Sequence, residues 1–179
     1  MRRGQTVKLT NHKVGGWCLI VGGLLFASFW SLSLVDVEVP WVAALSVHGL
    51  SIVLLTIGLI TFQLGTERAS PLSRLRWASV MVAIVGLWTI LPLFPMGLAL
   101  LGVILSIRRR WVTGALLVGG SAAFLAAYVF GTHIGDESAS AAKGQLGLVF
   151  AVGLVLIAAG LAALGFRRVQ ENGGIITTL

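Results

Sequence analysis

The sequence predicts an all-α membrane protein, a bundle of six transmembrane helices built from three helical hairpins, with both termini in the cytoplasm. Of its 179 residues, 57% are hydrophobic and only 11% are charged, whereas roughly 25% are charged in average globular chains. Several apolar runs reach the ~20 residues that a helix needs to cross a bilayer. Basic residues fall in short clusters between those runs, as in cytoplasmic loops. A soluble domain and a disordered chain are both excluded.

Four of the six spans follow directly from the length of the apolar runs, namely 16–35, 41–65, 111–131 and 144–166. Residues 1–15 then form a cytoplasmic N-terminal segment, and residues 167–179 form a cytoplasmic tail. The first run is longer than the ~7–15 apolar residues of a signal peptide, and no A-x-A cleavage site follows it. We therefore expect the first helix to be retained as a signal anchor.

The remaining two spans come from one long apolar stretch that contains two prolines. As a single helix, the stretch from Trp77 to Ile107 would reach ~46 Å, well beyond a hydrocarbon core of ~30 Å. Pro92 and Pro95 would each interrupt such a helix, because proline lacks the amide donor and clashes with the preceding turn. We predict two helices, over 72–91 and 95–107, joined by a tight turn.

The basic residues support six crossings independently. With six spans and an internal N-terminus, Lys143 is the only one of the thirteen Lys and Arg residues outside the cytoplasm. Five spans would put Arg74 and Arg76 on the opposite face from Arg108–Arg110, against the positive-inside rule. The net charge of +7 is therefore explained by membrane topology, and we expect the partner to be the lipid bilayer and not a nucleic acid.

Small residues recur at spacings that suit close helix packing, which membrane bundles need because lipid gives apolar side chains no preference for a neighbouring helix. We expect these positions to face other helices: Gly23 and Ala27 in the first helix, Ala115, Gly119, Ala123 and Ala127 in the fifth, and Gly153 and Gly160 in the sixth.

Few residues in the predicted spans or loops have side chains suited to binding a ligand or to catalysis. His48 is the one ionisable side chain well inside a predicted span, and such residues are candidates for function. It shares a helical face with Ser51, so the pair is a candidate ligand contact, with a structural hydrogen bond as the alternative. Arg108, Arg109 and Arg110 are candidates for binding a lipid headgroup.

Other chemistry has weaker support. The outer residues Asp36, Glu38, His133, Asp136 and Glu137 follow no metal-ligand spacing, so we expect neither a metal nor a cofactor. Gly119-Gly120-Ser121-Ala122 resembles the G-x-S-x setting of an intramembrane serine protease, but no histidine follows inside a later helix.

We therefore expect a non-catalytic membrane subunit or scaffold that contacts other membrane proteins, or further copies of itself, in a larger complex. Arg outnumbers Lys and the chain is rich in Gly and Ala, which favours the inner (plasma) membrane of a prokaryote. One alternative is a transport component, since the size and layout are similar to those of the substrate-capturing subunits of energy-coupling-factor transporters. Another is a membrane enzyme that uses His48 or the outer acids.

Overall fold

The computed structural model describes residues 3–33, 40–63, 71–89, 91–133 and 140–171. These residues form six helices and no strand, which confirms the predicted all-helical class and the helix count. The helices are α1 (Arg3–Ser33), α2 (Trp41–Gln63), α3 (Pro71–Trp88), α4 (Leu93–Ile107), α5 (Trp111–His133) and α6 (Ser140–Glu171).

Four of these helices contain segments long and apolar enough to cross a membrane: Lys13–Leu32, Trp41–Gln63, Trp111–Phe130 and Gln145–Gln170. The helix α4 is apolar but shorter. Many large apolar side chains on the outside of the bundle are exposed, an arrangement suited to contact with lipid. Length, composition and exposure together indicate a multi-pass membrane protein.

The six helices form a closed ring. Each helix packs against the next one along the chain, and α6 packs against α1. Neighbouring helices run antiparallel: Gly22 of α1 approaches Leu55 of α2, whereas Leu19, one turn earlier in α1, approaches Gly58, which lies later in α2. Antiparallel packing around the whole ring brings the start of every odd-numbered helix and the end of every even-numbered helix to the same end.

The chain reverses between α3 and α4 close to the two prolines. The helix α3 ends at Trp88, three residues earlier than predicted, and α4 begins at Leu93, two residues earlier. Pro92 precedes the first residue of α4 with φ −62°, and Pro95 lies in the first turn, where an amide donor has no helical partner. Gly86 lies directly against the backbone of Phe94, so the reversal is tight.

The turn between α4 and α5 is closed by a Schellman motif. The amide of Arg109 donates to the carbonyl of Ser106 (3.0 Å), and the amide of Arg110 donates to that of Leu105 (2.9 Å). Arg109 has φ 61°, the left-handed conformation in which glycine is usual at this position. The turn therefore joins the two helices within three residues and holds Arg108–Arg110 at the end of the ring.

Glycines allow the close approach of α5 and α6. A Cβ atom added at Gly120 would lie 2.8 Å from the carbonyl oxygen of Gly153, and one added at Gly160 would lie 2.7 Å from the side chain of Leu117. At the α1–α6 contact, Gly23 faces Leu161 at 3.4 Å. These three pairs lie in the interior of the bundle.

The expected stripe on α5 is rotated relative to that contact. Ala127 is buried and Ala123 is half-buried, but Ala115 and Gly119 are exposed, and a Cβ at Gly119 would meet nothing within 4 Å. Because successive helical residues are turned by ~100°, moving the contact from Gly119 to Gly120 places Ala115 and Gly119 on the outside. Ala27 of α1 is buried.

Candidate functional site

The two ends of the ring have different chemistry. One end, which we name the basic end, collects Arg76 near the start of α3, Arg108–Arg110 between α4 and α5, and Arg168 near the end of α6. The other end contains His48 and a cluster of aromatic rings, which we name the aromatic end. Each end is a candidate site.

At the aromatic end, His48 is surrounded by rings from α1. Its imidazole stacks on Phe29 with ring centroids 4.6 Å apart. The centroids of Phe26 and Trp30 lie 6.1 and 5.9 Å away. The residue is only partly exposed. The helical position of His48 therefore places it against α1, in a mostly apolar setting.

His48 and Ser51 do not share a hydrogen-bonding partner as a common binding site would. Ser51 is fully buried, and its hydroxyl donates to the backbone carbonyl of His48 at 2.7 Å, within α2 itself. Its donor hydrogen is thus used by its own helix. Nδ1 of His48 is buried and has no hydrogen-bond partner among the residues described. Of the two, His48 retains the polar atom that could bind a ligand.

The aromatic cluster extends across the interior of the ring. The ring of Phe26 lies 5.1 Å from that of Phe94 in α4, edge to face. Phe150 of α6 contacts both Trp30 (6.1 Å) and Phe124 of α5 (4.5 Å). Aromatic side chains from α1, α4, α5 and α6 therefore fill the interior beside His48.

At the basic end, Arg76 is the central residue. It is only 6% exposed, because its guanidinium lies over the ring of Phe62 in α2, 5.1 Å from the centroid. Its Nε donates to Oε1 of Gln63 (2.9 Å), while Nε2 of Gln63 donates to the carbonyl of Arg76 (3.0 Å). Nη2 of Arg76 is buried and has no hydrogen-bond partner among the residues described.

A second guanidinium approaches the same phenyl ring. Arg168 of α6 lies over Phe62, also 5.1 Å from the centroid, and its Nη2 donates to the carbonyl of Phe62 at 2.8 Å. Arg168, Arg108 and Arg110 all lie close enough to Arg76 to repel it electrostatically. The arrangement concentrates positive charge around one buried guanidinium.

The two arginines beside Phe62 are the functional candidates that the sequence did not single out. Arg108 and Arg109, predicted to bind a headgroup, are exposed, and Arg110 is half-buried. From the sequence, Arg76 and Arg168 are only topological anchors. The available signal was Gln63, a polar side chain at the end of an otherwise apolar run, which needs a partner when buried.

Metal chemistry has no candidate in the described part of the chain, where no three His, Cys, Asp or Glu side chains come together. The residues predicted to lie on the outer side, Asp36, Glu38, Asp136 and Glu137 with the side chain of His133, are outside the described part of the chain.

Comparison of the chain with protein-family models, with curated proteins and with solved structures finds no match. A function must therefore rest on the chemistry of the two ends and on the surfaces that the ring leaves open.

Proposed function

We propose that the protein is a multi-pass component of the inner (plasma) membrane of a prokaryote, arranged as three hairpins with both termini in the cytoplasm. The basic end supports this orientation, because arginines are retained on the cytoplasmic side of a membrane and Arg76, Arg108–Arg110 and Arg168 share one end of the ring. A reporter enzyme that works only in the cytoplasm should be active when fused after Arg110. Activity of a reporter that works only outside the membrane, fused at the same position, would refute the orientation.

Within that membrane, we propose that the chain is a non-catalytic subunit or scaffold of a larger complex. The observation that carries this proposal is a small-residue face on the outside of α5. Ala115, Gly119 and Ala122 are all exposed, and their spacing of four and three residues puts them on one side of the helix. We name this surface the α5 stripe.

The α5 stripe suits another transmembrane helix better than it suits lipid. In a bilayer, helices associate where small residues let their backbones approach closely. The seams inside this ring follow the same rule, as Gly120 and Gly153 illustrate. A face with the same chemistry but no neighbour in the ring therefore favours packing against a second protein or a second copy.

The test compares two glycines that have equal space around them. A Cβ meets nothing within 4 Å at Gly119 or at Gly49 of α2. Gly119→Leu should abolish association with the partner after gentle solubilisation, measured by co-purification with mass spectrometry and by the mass of the purified complex. Gly49→Leu should retain it, and both variants should melt like the wild type.

Two results would contradict the subunit proposal. The wild-type chain could elute as a monomer without any partner from every mild detergent. Alternatively, Gly119→Leu could retain the same partner in the same amount as Gly49→Leu, which would mean that the α5 stripe is not the contact surface.

The alternative, a substrate-binding component of a transporter, is favoured by one feature, the unpartnered Nδ1 of His48 beside the rings of α1. His48→Phe preserves the ring stack on Phe29 while removing the nitrogen. A transported ligand that raises the melting temperature of the wild type, but not that of His48→Phe, would favour this alternative over the scaffold.

A further inference from the structure

The basic end contains a buried positive charge that the described residues do not neutralise. Arg76 is 6% exposed, and the contacts of its guanidinium in the described part of the chain are a neutral amide and a phenyl ring. Burying an unpaired charge costs several kcal/mol, so such groups are normally paired with an opposite charge. The surrounding charges make the cost larger, because Arg108, Arg110 and Arg168 all repel Arg76.

The orientation of Arg76 leaves one terminal nitrogen for a ligand. The bond from Nε to Gln63 and the packing on Phe62 fix the plane of the guanidinium. Nη2 remains buried and without a hydrogen-bond partner among the residues described. A guanidinium with fixed orientation and a spare donor is well suited to an oxyanion, above all to phosphate, which accepts several charge-assisted hydrogen bonds.

We propose that the basic end binds a phosphate group, held by Arg76 together with Arg168, with Arg108 and Arg110 supplying further positive charge. A phosphodiester of an anionic phospholipid and free inorganic phosphate share this chemistry. The lipid source fits the position of Arg76 near the start of an apolar helix, at the end of the ring where the exposed Trp111 begins α5. This inference is independent of the proposed scaffold function, since the α5 stripe and Arg76 lie on different helices.

The experiment uses the full chain, stripped of lipid and held in a neutral detergent. A short-chain phosphatidylglycerol, the corresponding phosphatidylcholine, and inorganic phosphate at constant ionic strength are each added before thermal unfolding. At a hundredfold excess over Kd, binding should raise the melting temperature by about 5 to 10 °C. A shift with phosphatidylglycerol alone assigns the site to lipid, and a shift with inorganic phosphate as well assigns it to the phosphate group in general.

The matched control is on the same helix. Arg76→Gln should lose most of the shift, whereas Arg74→Gln, which removes the same charge from an exposed position two residues earlier, should retain it. In case Arg76→Gln does not fold, Arg168→Gln is the second variant, and native mass spectrometry of the wild type should show retained phosphatidylglycerol but not phosphatidylcholine.

Three results would overturn the proposal. The first is a wild type that responds to neither anion and retains neither lipid. The second is equal loss of the shift in Arg74→Gln and Arg76→Gln, which would indicate general surface charge. The third is an equal shift with phosphatidylglycerol and phosphatidylcholine in the wild type, which would indicate lipid binding without a requirement for an anionic phosphate site.

Discussion

Gly119 and Gly120 are adjacent in α5, but replacing them with alanine should change the stability of the protein in opposite directions. A Cβ at Gly120 would lie 2.7 Å from the amide nitrogen of Ile157, 2.8 Å from the carbonyl oxygen of Gly153 and 2.9 Å from Cβ of Leu156. Favourable contacts between such atoms lie at ~3.5–4.0 Å. A Cβ at Gly119 would meet nothing within 4 Å.

The magnitude follows from which atoms would have to move. Two of the three atoms that face Gly120 belong to the backbone of α6, so no side-chain rotation relieves the clash and the helices must separate locally by ~0.7 Å or more to restore normal contacts. Overpacking of this kind costs ~1–3 kcal/mol, and we expect the upper half of that range. Both variants gain up to about 1 kcal/mol from the better helix propensity of alanine, so this gain cancels in their difference.

We therefore expect Gly120→Ala to be less stable than Gly119→Ala by about 2 to 3 kcal/mol. This difference corresponds to a melting temperature lower by about 5 to 10 °C for a chain of this size. The measurement is thermal unfolding of the two purified variants in the same detergent, followed by circular dichroism. Gly119→Ala should melt at or slightly above the temperature of the wild type.

The opposite side of the same contact gives an internal check. A Cβ at Gly153 would lie 2.7 Å from the amide nitrogen of Phe124 and 3.0 Å from the carbonyl oxygen of Gly120. Once one substitution has separated the helices, the second should cost less, so the double variant should be more stable than the sum of the single effects predicts. Equal melting temperatures for Gly119→Ala and Gly120→Ala would refute the packing of α5 on α6 described above.

Three further predictions concern single interactions. Arg109→Gly should raise the melting temperature by about 2 to 4 °C. Relief of the left-handed conformation is worth ~1–2 kcal/mol, the greater freedom of glycine in the unfolded chain takes back up to ~1 kcal/mol, and the net of about 1 kcal/mol corresponds to this shift. Trp88→Phe should remove the 3.0 Å hydrogen bond from Nε1 to Oγ1 of Thr56, lower stability by about 0.5–1 kcal/mol and speed hydrogen exchange in α2 and α3. Ser121→Ala should be neutral or stabilising, since the buried hydroxyl of Ser121 has no hydrogen-bond partner in the described part of the chain. The matched variant Ser79→Ala should lower stability by ~1 kcal/mol, because the buried hydroxyl of Ser79 donates a 2.8 Å hydrogen bond to the carbonyl of Arg76.

The positions of the helices could be predicted because their signals are local. Pro92 and Pro95 interrupt a helix wherever they occur, and the structure has the break beside them, with α3 ending at Trp88 and α4 beginning at Leu93. The boundaries differ by two or three residues because Pro92 directly precedes α4 and Pro95 lies inside its first turn, where proline is tolerated.

The face that each helix presents could not be predicted in the same way. In a soluble helix, polarity separates the buried side from the exposed side, but lipid and a neighbouring helix are both apolar. Gly119 belongs to a stripe that recurs every four residues, whereas Gly120 is flanked one turn away by Leu117 and Phe124. The contact with α6 is made at Gly120, although its neighbours on the same face are large. Only the position of α6 shows that Gly120, and not Gly119, is the contact residue.

The burial of Arg76 could not be predicted either, because it depends on contacts with other helices. Arg74 and Arg76 are two residues apart, so they point to nearly opposite sides of α3, and both fit a cytoplasmic anchor equally well from the sequence. Arg76 is buried because Phe62 and Gln63 of α2 cover it, and Arg168 reaches the same ring from α6. No local pattern indicates which of two arginines receives partners from helices distant in sequence.

Six helix–helix contacts close the ring, and the contact between α2 and α3 is the least extensive of them. It is also built differently from the other five. Each of the other five has a glycine against the backbone of its neighbour, as at Gly22, Gly97, Gly102, Gly120 and Gly165.

Among the described residues, hydrogen bonds between side chains and from side chain to backbone join α2 to α3 instead: Trp88 to Thr56 towards the aromatic end, and Arg76 with Gln63 at the basic end. A seam held by a few polar bonds opens more readily than one whose stability is spread over continuous backbone contact. Because Arg76 is part of that seam, a phosphate bound to its Nη2 would act on the weakest contact of the ring. Its stabilising effect should therefore appear first as slower hydrogen exchange in α2 and α3.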